Sequence, residues 1–138
     1  MTVVQLARKV SIPAEIVRYY TRIGLLKPER HQENGYRLFS FDDIKRLKFI
    51  LRAKGLGFTL SEISKILDHA ENHNSPCPLV RDLITCRIKE NRERLDAMAH
   101  LQIRMEKALA QWKAMPDGMP NGHSVCHLIE AMDERGQA

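Results

Sequence analysis

The residues of this 138-residue chain best suited to chemistry are its three cysteines, Cys77, Cys86 and Cys126, and the histidines around the last of them. His123 and His127 flank Cys126. The pattern from His123 to Met132 reads as a short helix, in which histidines four apart share a face and a cysteine three residues after the first lies close to it. Cys77 precedes Pro78 at the head of a long helical pattern, where the helix dipole favours an anionic thiolate. Thiolates with imidazoles suit zinc, with cadmium or lead as thiophilic divalent alternatives. The candidate ligands are therefore Cys77, Cys126, His123 and His127. Cys86 and His100 read as residues of the long helix, and His69 and His73 as linker residues. The same cysteines could instead answer oxidants or electrophiles, or the effector could be something other than a metal. Catalysis is not expected, because no His-Glu-x-x-His-type helix accompanies these residues.

These candidates depend on one long element. Ile84, Ile88, Asn91, Leu95, Met98, Gln102, Met105, Leu109 and Trp112 recur at alternating steps of four and three, the 3.5-residue period of a coiled-coil seam. At ~1.5 Å per residue a helix over 79–114 extends roughly 54 Å, too long to bury its seam on a small domain, so a homodimer is expected. Asn91 and Gln102 lie almost symmetrically about the helix midpoint. An antiparallel pairing lets each meet the other across the dyad, and brings residue 77 of one subunit near residue 112 of its partner. Residues 71–78 are polar, contain two prolines and read as a linker. Residues 115–138 form a turn-rich loop, a short helix and a tail, the expected effector-binding segment.

Residues 1–70 read as a different kind of unit. Val3, Leu6, Ala7 and Val10 give one helical face; Ser11-Ile12-Pro13 interrupts; Ile16, Val17 and Tyr20 resume a second. Pro13 fits the first turn of that second helix, with Ser11 or Ile12 at its cap. Gly24 closes it. A polar turn ending in Asn34-Gly35 leads to the alternating strand Tyr36-Arg37-Leu38-Phe39, so helix-turn-helix is followed by a two-stranded wing. Ser40 with Asp42 and Asp43 opens a third helix, and Thr59 with Glu62 forms a capping-box pattern for a fourth. The fold class is all-α with a small β wing: a winged helix-turn-helix domain plus a long antiparallel coiled-coil dimerisation helix.

Charge is distributed unevenly between these parts. Residues 1–70 carry 13 Lys/Arg against 7 Asp/Glu, whereas residues 71–138 carry 9 against 10. Positive charge clustered beside a groove-reading helix is the footprint of a nucleic-acid binder. No signal-peptide pattern opens the sequence, and no apolar run approaches the ~18 residues needed to span a membrane. The expected location is the cytoplasm, where the cysteines are reduced thiols.

The order and spacing of Ile16-Val17-Arg18-Tyr19-Tyr20, Ile23-Gly24-Leu25-Leu26, Glu33-Asn34-Gly35-Tyr36-Arg37 and Gly55-Leu56-Gly57-Phe58 resemble those of the MerR family of transcription regulators. The resemblance implies a dimer on a palindromic double-stranded DNA operator, with Arg18, Tyr19 and Tyr20 of the second helix, Tyr36 and Arg37 of the wing, and Lys54 as contacts. It further implies activation by bending and untwisting a promoter whose spacer is too long, which realigns the elements bound by RNA polymerase. In the metal-sensing members the sensor site is shared between subunits, and a cysteine at the head of the dimerisation helix accompanies divalent ions, as Cys77 does here. Three positions depart from the family pattern: Pro13 where Ser or Thr is common, Ile16 where Thr is frequent, and Trp112 where metal-sensing members carry cysteine. With Trp112 in that place, His123 and His127 are the expected substitutes.

Overall fold

The computed structural model describes residues 1–30, 35 and 37–133. In chain order the elements are α1 (Val3–Val10), α2 (Ala14–Arg22), β1 (Glu29–Arg30), β2 (Arg37–Leu38), α3 (Phe41–Gly55), α4 (Leu60–Glu71), α5 (Cys77–Trp112) and α6 (His127–Glu130). They fall into two compact units, Met1–Arg87 and Ile88–Ala138.

Local chemistry explains most of the helix starts in the first unit. Thr2, Ser40 and Thr59 each accept the backbone N–H three residues on, and Gln5, Asp43 and Glu62 reach back to the cap N–H, so α1, α3 and α4 all begin in capping boxes. The turn between α1 and α2 differs from the sequence expectation. Ser11 adopts a left-handed conformation (φ 59°) and closes α1, its N–H donating to the Arg8 carbonyl, and Pro13 itself caps α2. Proline suits that place because an extended cap residue needs a carbonyl, not an N–H: the Pro13 oxygen accepts from Ile16 N at 3.1 Å. Gly24, with φ +86°, supplies the positive-φ turn after α2 that a residue with a Cβ rarely adopts.

The wing is short. Glu29 pairs with Leu38 and Arg30 with Arg37 in antiparallel register, and Gly35 has φ +72°. Asn34 and Tyr36 lie outside the described residues. Two reciprocal backbone bonds, Phe39 N–H to Met1 O at 2.7 Å and Met1 N to Phe39 O at 2.8 Å, fasten the wing to the start of α1.

The first unit is organised around a core of Leu6, Val17, Leu26, Leu47, Ile50 and Ile63, each almost wholly buried. Leu79, Val80, Leu83 and Ile84 of α5 pack against this core. The edge of the unit lies inside the long helix, after Arg87, and the connection between α4 and α5 falls within the expected linker at 71–78. Ion pairs among the described residues brace the periphery. Arg46 of α3 donates through Nε to the Leu25 carbonyl and through Nη1 to Glu71 at the end of α4. Arg87 of α5 donates to Glu62 Oε1 at 2.5 Å, the same oxygen that accepts the Thr59 N–H at 2.8 Å.

In the second unit Ala108 is buried, while Ile88, Leu95, Met98, Met105 and Leu109 of the seam are each at least half exposed. These are the apolar positions of the 3.5-residue period, left without cover in a single chain. No helix among the described residues is long and apolar enough to cross a membrane.

Candidate nucleic-acid interface and metal-binding segment

The helix-turn-helix presents α2 through the alternation of its faces. Val17 and Tyr20 point into the core, so the side chains between them point out. Arg18 is exposed, and Tyr19 is 42% exposed. The Arg22 guanidinium lies 5.4 Å from the centre of the Tyr19 ring, a cation–π pair that holds the ring beside a positive charge. The sequence reading did not assign Arg22; its spacing of three from Tyr19 on one helix was the available signal.

Tyr20, also expected at the DNA, is set apart from Arg18 and Tyr19 by its burial. It is 7% exposed and belongs to the core, with its ring centre 6.0 Å from that of Tyr19. Burial, reinforced by the neighbouring Tyr19, raises its phenol above the usual tyrosine range. The reason is helical phase: a residue three after the fully buried Val17 shares its face. Of the wing candidates, Arg37 is placed by its β2 backbone, and Tyr36 lies outside the described residues. Lys54 is exposed in the last turn of α3, and its carbonyl accepts the N–H of Gly57, whose φ of +93° turns the chain into α4.

The cysteine and histidine candidates sit in different surroundings. Cys77 is the first residue of α5 and is exposed; its N–H donates to Ser75 Oγ at 3.4 Å. Cys86 is exposed on the same helix. Cys126 is half-buried and immediately precedes α6, of which the half-buried His127 is the first residue. His123 is exposed and not helical. A shared helical face for His123 and His127 is thus corrected: α6 spans only His127–Glu130. Side chains satisfy backbone donors that lie ahead of α6. Asn121 Oδ1 accepts His123 N–H at 2.7 Å, and Glu130 Oε1 accepts Val125 N–H at 3.0 Å and Cys126 N–H at 2.7 Å.

Trp112 ends α5, and its indole N–H donates to the Leu128 carbonyl at 3.1 Å, tying α6 to the end of the long helix. Among the described residues of one chain, no three His, Cys, Asp or Glu side chains converge into a metal site.

Comparison with known proteins places this geometry. Residues 1–70 match the MerR HTH family regulatory protein family, and residues 44–108 the family described as MerR, DNA binding. The mercuric resistance operon regulatory protein of Bacillus cereus is 33% identical over 130 residues, 93% of each chain. A probable heavy metal-dependent transcriptional regulator of Haemophilus influenzae is 26% identical over 133 residues, covering 96% of this chain and 99% of its own. Among solved structures, the regulator PbrR691 of Ralstonia metallidurans in complex with lead(II) shares the fold with a TM-score of 0.76 at 22% identity, over 95% of this chain and 98% of that one. With both the helix-turn-helix and the long helix matched, the chain belongs to the MerR family of helix-turn-helix transcription regulators; it is a DNA-binding regulator and not an enzyme.

Proposed function

We propose that this regulator is a homodimer of the cytoplasm that binds operator DNA and responds to a thiophilic divalent ion, with zinc first and cadmium or lead as alternatives. One observation carries the metal reading. The relative named for mercuric resistance matches over 93% of the chain, and in this chain the terminal segment has a free thiol, Cys126, followed directly in sequence by His127. A thiolate and an imidazole are two of the four ligands of a tetrahedral zinc-type set. Cys77, with His123 as a further donor, completes a set of Cys77, Cys126, His123 and His127 drawn from the dimer. The exposed seam of α5 supports dimerisation, because its leucine and methionine side chains gain cover only from another molecule.

On DNA, Arg18, Tyr19, Arg37, Tyr36 and Lys54 make the contacts, with Arg22 holding Tyr19. Tyr20 contributes by packing. These side chains fix register on phosphates and leave a minority of base contacts on α2. The ion then acts by differential affinity: it favours the dimer conformation in which the DNA is distorted for RNA polymerase.

Anaerobic titration of the reduced protein with zinc, cadmium, lead and copper(I), read by thiolate-to-metal absorption, tests this reading. Saturable binding lost in both Cys77→Ser and Cys126→Ser is the expected result. Binding indifferent to both substitutions, or no binding, refutes the metal reading.

A further inference from the structure

The segment after α5 is braced by three unlike contacts that all converge on the residues around Cys126. Glu130 Oε1 accepts from the N–H groups of Val125 and Cys126 and from Ser124 Oγ at 2.8 Å, three donors on a single oxygen. In the other direction Glu130 N–H donates to the Cys126 carbonyl at 3.0 Å, so these two residues are doubly tied. Gly118 lies against the His127 ring so closely that a Cβ there would stand 2.2 Å from Nδ1 and 2.7 Å from Cε1. Only glycine leaves the imidazole in that place. Trp112 ties Leu128, one residue further on, to the end of α5.

Apart from the Glu130 N–H to Cys126 carbonyl bond, which is the first bond of α6 itself, these contacts are additional to a four-residue helix that is too short to be stable alone. Together they hold the backbone on both sides of the thiol, and Gly118 leaves room for the ring of the neighbouring histidine, all within one chain. We propose that the terminal segment is a preformed half-site in which Glu130 is the positioning residue for Cys126 and Gly118 sets the ring of His127. This inference rests on the reading of Cys126 and His127 as ligands. Its chemical logic is that of outer-shell support: an ion meeting ligands already oriented does not have to order the loop as it binds, so supporting residues contribute to affinity without touching the ion. Trp112, which stands where the resemblance led us to expect a thiol, then has a role of its own as an anchor for α6.

The test uses the full-length, reduced, metal-free protein and the variants Glu130→Ala and Glu130→Gln. Amide hydrogen exchange at Val125 and Cys126 is measured first, then binding of cadmium by its thiolate absorption. Glu130→Ala is expected to lose protection at both amides and to bind cadmium about 10- to 100-fold more weakly, with the same absorption per ion at saturation because the thiolates are intact. Glu130→Gln, which keeps a carbonyl acceptor at the same reach, recovers part of both. Gly118→Ala displaces the imidazole and shifts the ring resonances of His127, leaving the two amides protected. Equal exchange at Val125 and Cys126 in the wild type and Glu130→Ala overturns the proposal. A wild-type protein that gives no cadmium–thiolate band overturns the metal reading instead, a result distinct from any change in amide protection.

Discussion

The tie between Glu62 and Arg87 gives the most quantitative expectation. Both side chains are about four-fifths buried, at 18% and 19% exposed. Glu62 Oε1 receives two donors, the Thr59 N–H that starts α4 and the Arg87 guanidinium from α5. Hydrogen bonds to charged groups at such sites contribute about 1.5–3 kcal/mol, and half a capping box about 1 kcal/mol. Glu62→Ala removes both, so a loss of roughly 3 kcal/mol is expected. At an m-value of about 2 kcal/mol/M, the urea midpoint falls by roughly 1.5 M at fixed protein concentration. Arg87→Met keeps the apolar stem and removes the charge, and the double-mutant cycle isolates a coupling of about 1–2 kcal/mol. The pH dependence has a definite sign. The Thr59 N–H foremost, with Arg87 adding to it and partial burial opposing, holds the Glu62 carboxyl below the usual glutamate range. A depressed carboxylate contributes stability above the unfolded-chain value near ~4.3 and loses it as pH falls through the lower folded value. The wild type should therefore lose this advantage over Glu62→Ala in acid, with the two stabilities converging below about pH 4. A coupling under ~0.3 kcal/mol at neutral pH, or a difference between the two proteins that ignores pH, refutes the reasoning.

Three further outcomes follow from the same physics. Leu95 is 69% exposed in one chain and is counted twice across a dyad, so Leu95→Ala should weaken dimerisation by about 2 kcal/mol, roughly 30-fold in Kd by sedimentation equilibrium; an unchanged Kd removes the seam from the interface. Ile50 is fully buried beneath the helix-turn-helix, and Ile50→Ala should cost about 2–5 kcal/mol of unfolding free energy in urea. Arg18→Ala should weaken operator binding measured by fluorescence anisotropy and reduce the slope of log K against log salt by about 0.9; an unaltered slope assigns Arg18 no phosphate.

The parts of the fold legible in the sequence are those fixed by neighbours three or four residues apart. Ser40 with Asp43 and Thr59 with Glu62 announce two helix starts, because a capping box closes within a single turn. The α5 seam is legible for the same reason: an apolar stripe is a property of one helix, whatever covers it. The α1–α2 turn was misassigned at Ser11 because serine is a common N-cap, and only the backbone shows it as the left-handed end of α1. Tyr20 has the composition of a contact residue and the phase of a core residue. The core cluster it joins includes Leu6 and Leu47 from other elements, and its place there follows its phase on α2.

The candidate effector segment was legible in its donor atoms and not in its geometry. Cys126, His123 and His127 stand out by type, yet the helix inferred across them requires helical backbone at Cys126, which is instead extended (φ −144°, ψ 108°) and caps α6. Asn121 and Glu130 give side-chain oxygens to the N–H groups of His123, Val125 and Cys126, which lie ahead of the helix and have no carbonyl partner within it. α6 is one turn, and His123 lies in a separate bend. Glu130 and Asn121 gave no signal as site residues because their role is to hold backbone groups. Likewise the indole of Trp112 acts across sixteen residues on the Leu128 carbonyl, a separation at which no periodicity remains to be read. Such a segment has its conformation set by a few charge-assisted bonds instead of by a buried core. A single substitution at Glu130 should therefore reshape it locally while the first unit, whose stability rests on burial of Leu6, Leu47, Ile50 and Ile63, is left intact.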